Sequence, residues 1–421
     1  MKRTISLKVI AWLNYILAAL PVRTRITIAE LICGCIAAAS GHVTNAILNI
    51  NNPSACWNTY YKMIQNGKFN WRSIAKNVLL LIEQTFQSQR VILAIDDTMV
   101  LRASEKAPGA GIHHNHASKI NTKNFVLAQM FVSIFFIAKD ANQRSHALPL
   151  CMLLAPKGGN TSKIKIAAAL VRIAWRWLKN KKVLLLMDSW YMKGTLALPL
   201  LEKNEPEANI HCIGQVRRDT AIYTIPEKKQ GRGRPRIYGD KITKENFHTM
   251  APLQKKRILA YGEEREFSFY EFTAVAKFLK GRKCKAVWCC FEQKDKNANW
   301  RLIISTDTTL SAAEIIELYA TRWAVEPAFN ELKNTVGVNE AWQQKRKTAD
   351  RWRCILCTAC CISKLAAITF GEQLALLRPI DWRRGQPMTA GWAALALGLF
   401  LRTLSIRACW DRKEQKIILP D

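Results

Sequence analysis

"VILAIDD", residues 91–97, is a run of five apolar residues that ends in two aspartates. A short, solidly apolar run suits a β-strand buried on both faces, since such a strand shows no polar side to water. The pattern returns at "KKVLLLMDSW", residues 181–190, where five apolar residues run into Asp188. Between them, "NFVLAQMFVSIFFIA" and "HALPLCMLLAP" read as two further strands, and "SKIKIAAALVRIAWRWLKN" as a helix with basic residues on one side. The order strand, strand, strand, helix, strand predicts a mixed α/β sheet. In open α/β sheets functional groups collect beyond the carboxyl ends of the strands, and both acidic positions read as such ends. Asp96 and Asp97 are neighbours, so pleating sends them to opposite faces and only one is expected to join a shared site.

The flanks have a different texture. Residues 1–85 read as helical, with "TIAELICGCIAAA", "CWNTYYKMIQ" and "WRSIAKNVLLLIEQTF" mixing cations and aromatics. They read equally well as a DNA-contacting unit or a packing one. The α/β core then covers 86–218. Within it, "SEKAPGAGIHHNHASKINTK" reads as a loop whose His113, His114 and His116, set among Gly109, Gly111 and Lys119, suit a DNA-proximal segment better than a zinc site. After "GTLALPLLEK" and "NIHCIGQVRRD", a helix and a strand, residues 219–299 form a β-rich insertion. Its "REFSFYEFTAVAKFLKGRKCKAVWCCFEQ" alternates like antiparallel strands. "WRLIISTD" resumes the core over 300–370. Apolar helices over 371–421 suit dimer contacts or core packing alike.

Charge is the outlier. Of 421 residues, 63 are Lys or Arg and 32 Asp or Glu, a formal net charge of +31. That excess favours a polyanionic partner, because each neutralised phosphate releases condensed counterions. The 13 cysteines are odd in number and irregular in spacing, as expected of reduced thiols in a cytosolic chain. Cys354, Cys357, Cys360 and Cys361 sit in "RCILCTACCISKLAAITF", where an apolar helical context favours buried thiols over zinc. The N-terminal "MKRTISLKVIAWLNYILAAL" reads as an amphipathic helix, not a signal peptide, and "AALALGLFL" is too short to span a bilayer. A cytoplasmic, nucleoid-associated protein without membrane contact is expected.

"YATRWAVEPAFNELK", residues 319–333, sets polar groups at spaced positions. On a helix turning about 100° per residue, Tyr319, Arg322, Glu326 and Lys333 share one stripe. Ser311, with Glu314 three places on, predicts a capping box at the start of this helix. Pro327, directly after Glu326, predicts a kink there. Asp97, Asp188 and Glu326 are hard oxygen donors from three remote places, the type that Mg²⁺ prefers. Two such ions can clamp the attacking and leaving oxygens of a phosphoryl transfer.

"IDDT", "LLLMDSW" and "YATRWAVEPAFNELK" resemble the DDE transposases of cut-and-paste insertion sequences, and more narrowly the insertion sequence 4 family. That family carries a Tyr, Arg, Glu, Lys signature with gaps of two, three and six residues, and Tyr319, Arg322, Glu326 and Lys333 match each gap. The resemblance covers roughly residues 90–370. It implies a ribonuclease H-like core, a mixed five-stranded sheet interrupted by a β-insertion, with helical regions on either side. It implies catalysis by Asp97, Asp188 and Glu326 on Mg²⁺, with Mn²⁺ a substitute, and it selects Asp97 over Asp96 because the motif acid precedes a threonine. The implied partners are double-stranded DNA, as terminal inverted repeats and target, and a second copy of the chain in a paired-end complex. A hairpin at the cut end is likewise implied.

Tyr319, Arg322 and Lys333 would then position phosphates. Trp300 resembles the family tryptophan that stacks on a flipped base; a sheet-packing tryptophan fits equally well. "GRGRPR", with Arg232, Arg234 and Arg236, resembles an AT-hook or a plain basic loop, and Arg217 adds a cation beside the core. Two other readings stay open: a ribonuclease H-like nuclease that cuts without joining, and a retired transposase that only binds DNA.

Overall fold

The run at 91–95 forms a buried strand, but the strand does not stop at the aspartates. The computed structural model describes residues 1–115, 123–157, 160–178, 181–203, 210–227, 234–291 and 299–420. In it β1 spans Arg90–Leu101, with Asp96 and Asp97 at its middle. The cause lies in its partner. After the short β2 (Gly111–His114), β3 runs the full length Phe125–Lys139 and pairs antiparallel with β1 from Ile92↔Ile137 to Leu101↔Ala128. The expected strand end at Asp97 is therefore corrected. Asp188 does stand just beyond its strand. β4 (Ser145–Leu154) pairs with β3, and β5 (Lys182–Met187) runs parallel to β1 as far as Ile95↔Met187. That register brings Asp188 level with Asp96.

β6 (Ile210–Val216) lies parallel to β5, so this part of the sheet runs β4-β3-β1-β5-β6. The central strands are apolar on both faces because helices cover both: Val183 to Met187 are all at most 2% exposed. The insertion supplies β7 (Ile222–Tyr223), β8 (Lys241–Ile242), β9 (Gln254–Ala260), β10 (Glu263–Ala276) and β11 (Lys283–Phe291). Its pairing is antiparallel, as the alternation predicts. However, β12 (Arg301–Ser305) pairs with β6 on one side and β11 on the other, so the insertion extends the core sheet. Among the described residues the whole sheet, insertion included, has twelve strands. Continuation also covers the edge of β6, which would otherwise present unpaired backbone.

Five helices precede the sheet, as expected: α1 (Lys2–Leu17), α2 (Val22–Ala38), α3 (Val43–Leu48), α4 (Trp57–Asn66) and α5 (Trp71–Phe86). α6 (Asn160–Trp177) and α7 (Gly194–Leu201) connect the parallel strands. α8 (Ala312–Ala320) and α9 (Val325–Asn334) follow β12. α10 (Arg346–Leu377) and α11 (Ala390–Leu401) complete the fold. α10 packs on β4, α2, α5 and α11. It is long and apolar enough to cross a membrane, yet 78% of its most apolar window is buried inside the protein. Cys354, Cys357, Cys360 and Cys361 are free, buried thiols on this helix, and burial pushes Cys354 and Cys361 up to about 12.

The N-terminal helices are latched to the segment that follows α9. Gly41 and Gly337 approach so closely that a side-chain carbon on Gly41 would collide with the Gly337 carbonyl. Gly337 also holds φ +65°, the left-handed region that glycine tolerates best. Glu340 accepts hydrogen bonds from Ser40 Oγ at 2.7 Å and Gly41 N at 2.9 Å, and Trp352 Nε1 donates to Gly41 O at 2.8 Å.

Candidate active site

Asp96 and Asp97 engage different elements, as alternation along β1 requires. Asp96 Oδ2 accepts from Arg322 Nη1 at 3.1 Å, toward α8 and α9. Asp97 turns toward α6: its two oxygens accept from Lys163 Nζ at 3.1 and 3.3 Å, and Oδ1 also accepts from Tyr191 Oη at 2.7 Å. Asp188 Oδ1 accepts the backbone amides of Trp190 and Tyr191, each at 3.0 Å. This is a side-chain-closed turn of the kind aspartate favours. One short turn thus fixes Asp188 through its amides and Asp97 through a phenol.

The acids crowd one another. Burial, and next the charge of Asp188, pushes Asp96 up to about 7, with Asp97 adding and Arg322 opposing. Burial also raises Asp188; its amide bonds and Arg322 oppose the rise and Asp97 adds to it. Burial works against the Arg322 charge, but Tyr319, Asp96 and Asp188 outweigh it and leave the guanidinium firmly protonated.

The helix carrying the spaced polar residues begins as predicted, with Ser311 and Glu314 in a reciprocal capping box. It then breaks, though not at Pro327. α8 ends at Ala320, a 3₁₀ turn covers Thr321–Ala324, and α9 starts at Val325. Pro327 falls in the first turn of α9, where a missing N–H leaves no intrahelical bond unmade. The 3₁₀ turn winds at about 120° per residue, so the expected continuous stripe is interrupted. Local contacts survive. The Arg322 guanidinium lies 5.8 Å from the Tyr319 ring centre, and Nη2 lies 3.7 Å from Glu326 Oε1. Arg322 therefore bridges Asp96 and Glu326. Lys333 stands further along α9, half-buried, with burial lowering its affinity for a proton.

The donors fit a divalent ion in kind. They are carboxylates in a basic protein, and their mutual repulsion is what a hard cation relieves. As the side chains stand, among the described residues no three His, Cys, Asp or Glu groups converge on one point as ligands. Cations of the chain fill the gaps instead: Lys163 on Asp97, Arg322 on Asp96 and Glu326.

Beside Arg322 opens a cavity of 660 Å³ lined by Tyr261, Phe267, Phe291, Tyr319 and Trp323, with Arg265 and Arg301. Asn299 and Arg301 line it, while Trp300 between them packs 5.4 Å from both Phe247 and Tyr270 in an aromatic cluster. Arg217 is paired with Asp219 at 3.1 Å, and with Arg218, Lys241 and Lys244 it lines a groove that reaches Ser189, next to Asp188. Arg234 and Arg236 are exposed; Arg232 lies outside the described residues, as do Gly231, His116 and Lys119.

Lys163 and Tyr191 join the site without having been expected there, and His113, expected in a DNA-proximal loop, stands near them on a strand instead. His113 sits on β2; burial and the nearby Lys163 lower its affinity for a proton, and among the described residues its Nε2 is buried without a hydrogen bond. The signal available for Tyr191 was its place three residues after Asp188. Lys163 was visible only as part of a basic helix face.

With this geometry in hand, the chain belongs to the DDE superfamily endonuclease family, whose pattern it matches over residues 31–268, more than half of its length. The match contains Asp96, Asp97 and Asp188 and ends before Glu326. A search of curated proteins returned no match.

Proposed function

We propose that this chain is a cut-and-paste DNA transposase of the insertion sequence 4 type. The observation that carries the reading is the crowding of Asp96 and Asp188, from adjacent parallel strands, against Arg322 of the 3₁₀ turn and its partner Glu326 of α9, inside an endonuclease family. In this reading β4, β3, β1, β5 and β6 are a ribonuclease H-like core. Asp97, Asp188 and Glu326 would hold Mg²⁺, or Mn²⁺ in its place, with Asp96 the alternative to Asp97. Ions held there would stabilise the attacking and leaving oxygens of an in-line displacement at phosphorus.

The chain's own groups do the rest. The turn amides hold one Asp188 oxygen fixed. Arg322 restrains Asp96 and Glu326 and presents cationic charge beside the cavity. Tyr319, Arg322 and Lys333 are assigned to phosphates, and the Arg217 groove to the DNA backbone. A strand cut by water leaves a 3′-hydroxyl. That hydroxyl then attacks the opposite strand, giving a hairpin, or the target DNA. Two copies would pair two inverted-repeat ends. A strand-transfer assay with a precut end in Mg²⁺ tests the reading: joined product is expected, and cutting of uncut ends without any joining would favour a plain nuclease.

A further inference from the structure

Asp97 is the one acid of the cluster whose two oxygens are both taken by a single cation. Lys163 Nζ lies 3.1 and 3.3 Å from them, with its side chain only 14% exposed. The ammonium is also 5.0 Å from the centre of the Trp190 ring, which belongs to the turn that holds Asp188. Lys163 thus comes from α6, reaches across to β1, and rests against the turn after β5. A divalent ion on Asp97 needs those same oxygens. The carboxylate has lone pairs enough for several partners, but an ammonium this close to a divalent ion is repelled by it in a site shielded from water.

We propose that Lys163 is a built-in counter-ion that competes with a divalent cation for Asp97, and that ion binding expels its ammonium from the cluster. The inference rests on the metal-dependent reading above. It adds that the resting site is closed by the chain itself and opens only when the ion arrives. An ordinary structural ion pair would instead keep Lys163 in place. The exposed Lys165, on the same helix, provides a charge-matched control.

The test measures Mn²⁺ binding by electron paramagnetic resonance on the full chain without DNA. Removing a unit positive charge that lies 3.1 and 3.3 Å from the two Asp97 oxygens relieves direct repulsion of the incoming ion, so Lys163→Met is expected to bind Mn²⁺ about tenfold tighter or more. Lys165→Met should stay within about twofold of the unaltered chain, the change expected of a distant screened charge. A second measurement needs no variant. Reductive methylation of the unaltered chain, read by mass spectrometry, should modify Lys163 faster when Mn²⁺ is present. Equal Mn²⁺ affinity in Lys163→Met, or Lys163 labelling unchanged or slowed by Mn²⁺, would overturn the proposal and leave the metal-dependent reading intact. Absence of Mn²⁺ binding by both proteins would overturn the two together.

Discussion

Replacing Asp96 by Asn should stabilise the protein at pH 8 and do little at pH 4.5. Asp96 is raised from an ordinary 3.8 to about 7 by burial and by Asp188. The folded state therefore keeps a proton that the unfolded chain gives up as pH rises. Stability owed to this group is lost progressively between about pH 4 and pH 7. The full difference would be about 4 kcal/mol at 1.36 kcal/mol per log unit. The side chain is 18% exposed, so water screens part of this, and about 2–3 kcal/mol is expected; the opposing effect of Arg322 is already contained in the raised value. Asn keeps an oxygen for Arg322 Nη1 and so isolates the charge. Urea unfolding of both proteins in EDTA at the two pH values gives the difference; titrating groups remote from Asp96 cancel in the comparison, while Asp188 and Arg322, coupled to it, enter the measured value. An Asp96→Asn protein less stable than its parent at pH 8, or an equal difference at both pH values, would refute the reasoning.

Arg322→Met removes the cation between Asp96 and Glu326; a loss of about 3 kcal/mol is expected from leaving buried charge unpaired, read as a lower urea midpoint at pH 8. Glu331 pairs with Lys364 of α10 and accepts Ala390 N of α11 at 3.2 Å, tying both helices to α9. Glu331→Gln should cost about 3 kcal/mol in the same assay, and a neutral result would remove this pair from the fold's supports. DNA affinity, measured by fluorescence anisotropy, should fall about 10³-fold or more between 50 and 200 mM salt; a flat response would contradict the role assigned to the +31 charge.

What the sequence made legible was local. Val183–Met187 has no polar face, so burial on both sides followed from composition, and Asp188 stood at the strand end as expected. The Ser311–Glu314 box was readable because both partners lie within one turn. Asp97 at mid-strand was not readable, because the length of β1 depends on β3 continuing to Ala128, a choice made some thirty residues away. Likewise, the break before Glu326 came from the 3₁₀ turn at Thr321–Ala324, while the proline that attracted attention fitted a helix start. Lys163 and Tyr191 reach Asp97 across 66 and 94 residues. No spacing rule connects such positions, and only the sheet order and the α6 packing bring them together.

The claim on which the rest stands is that the acid cluster around Asp188 cuts a phosphodiester while the basic surface merely holds it. The most direct measurement compares the unaltered chain with Asp188→Asn on DNA from the native flanking ends, in Mg²⁺, scoring binding by gel shift and nicking on a sequencing gel. Undiminished binding with nicking abolished is the predicted result. Nicking at the original rate by Asp188→Asn would contradict the account.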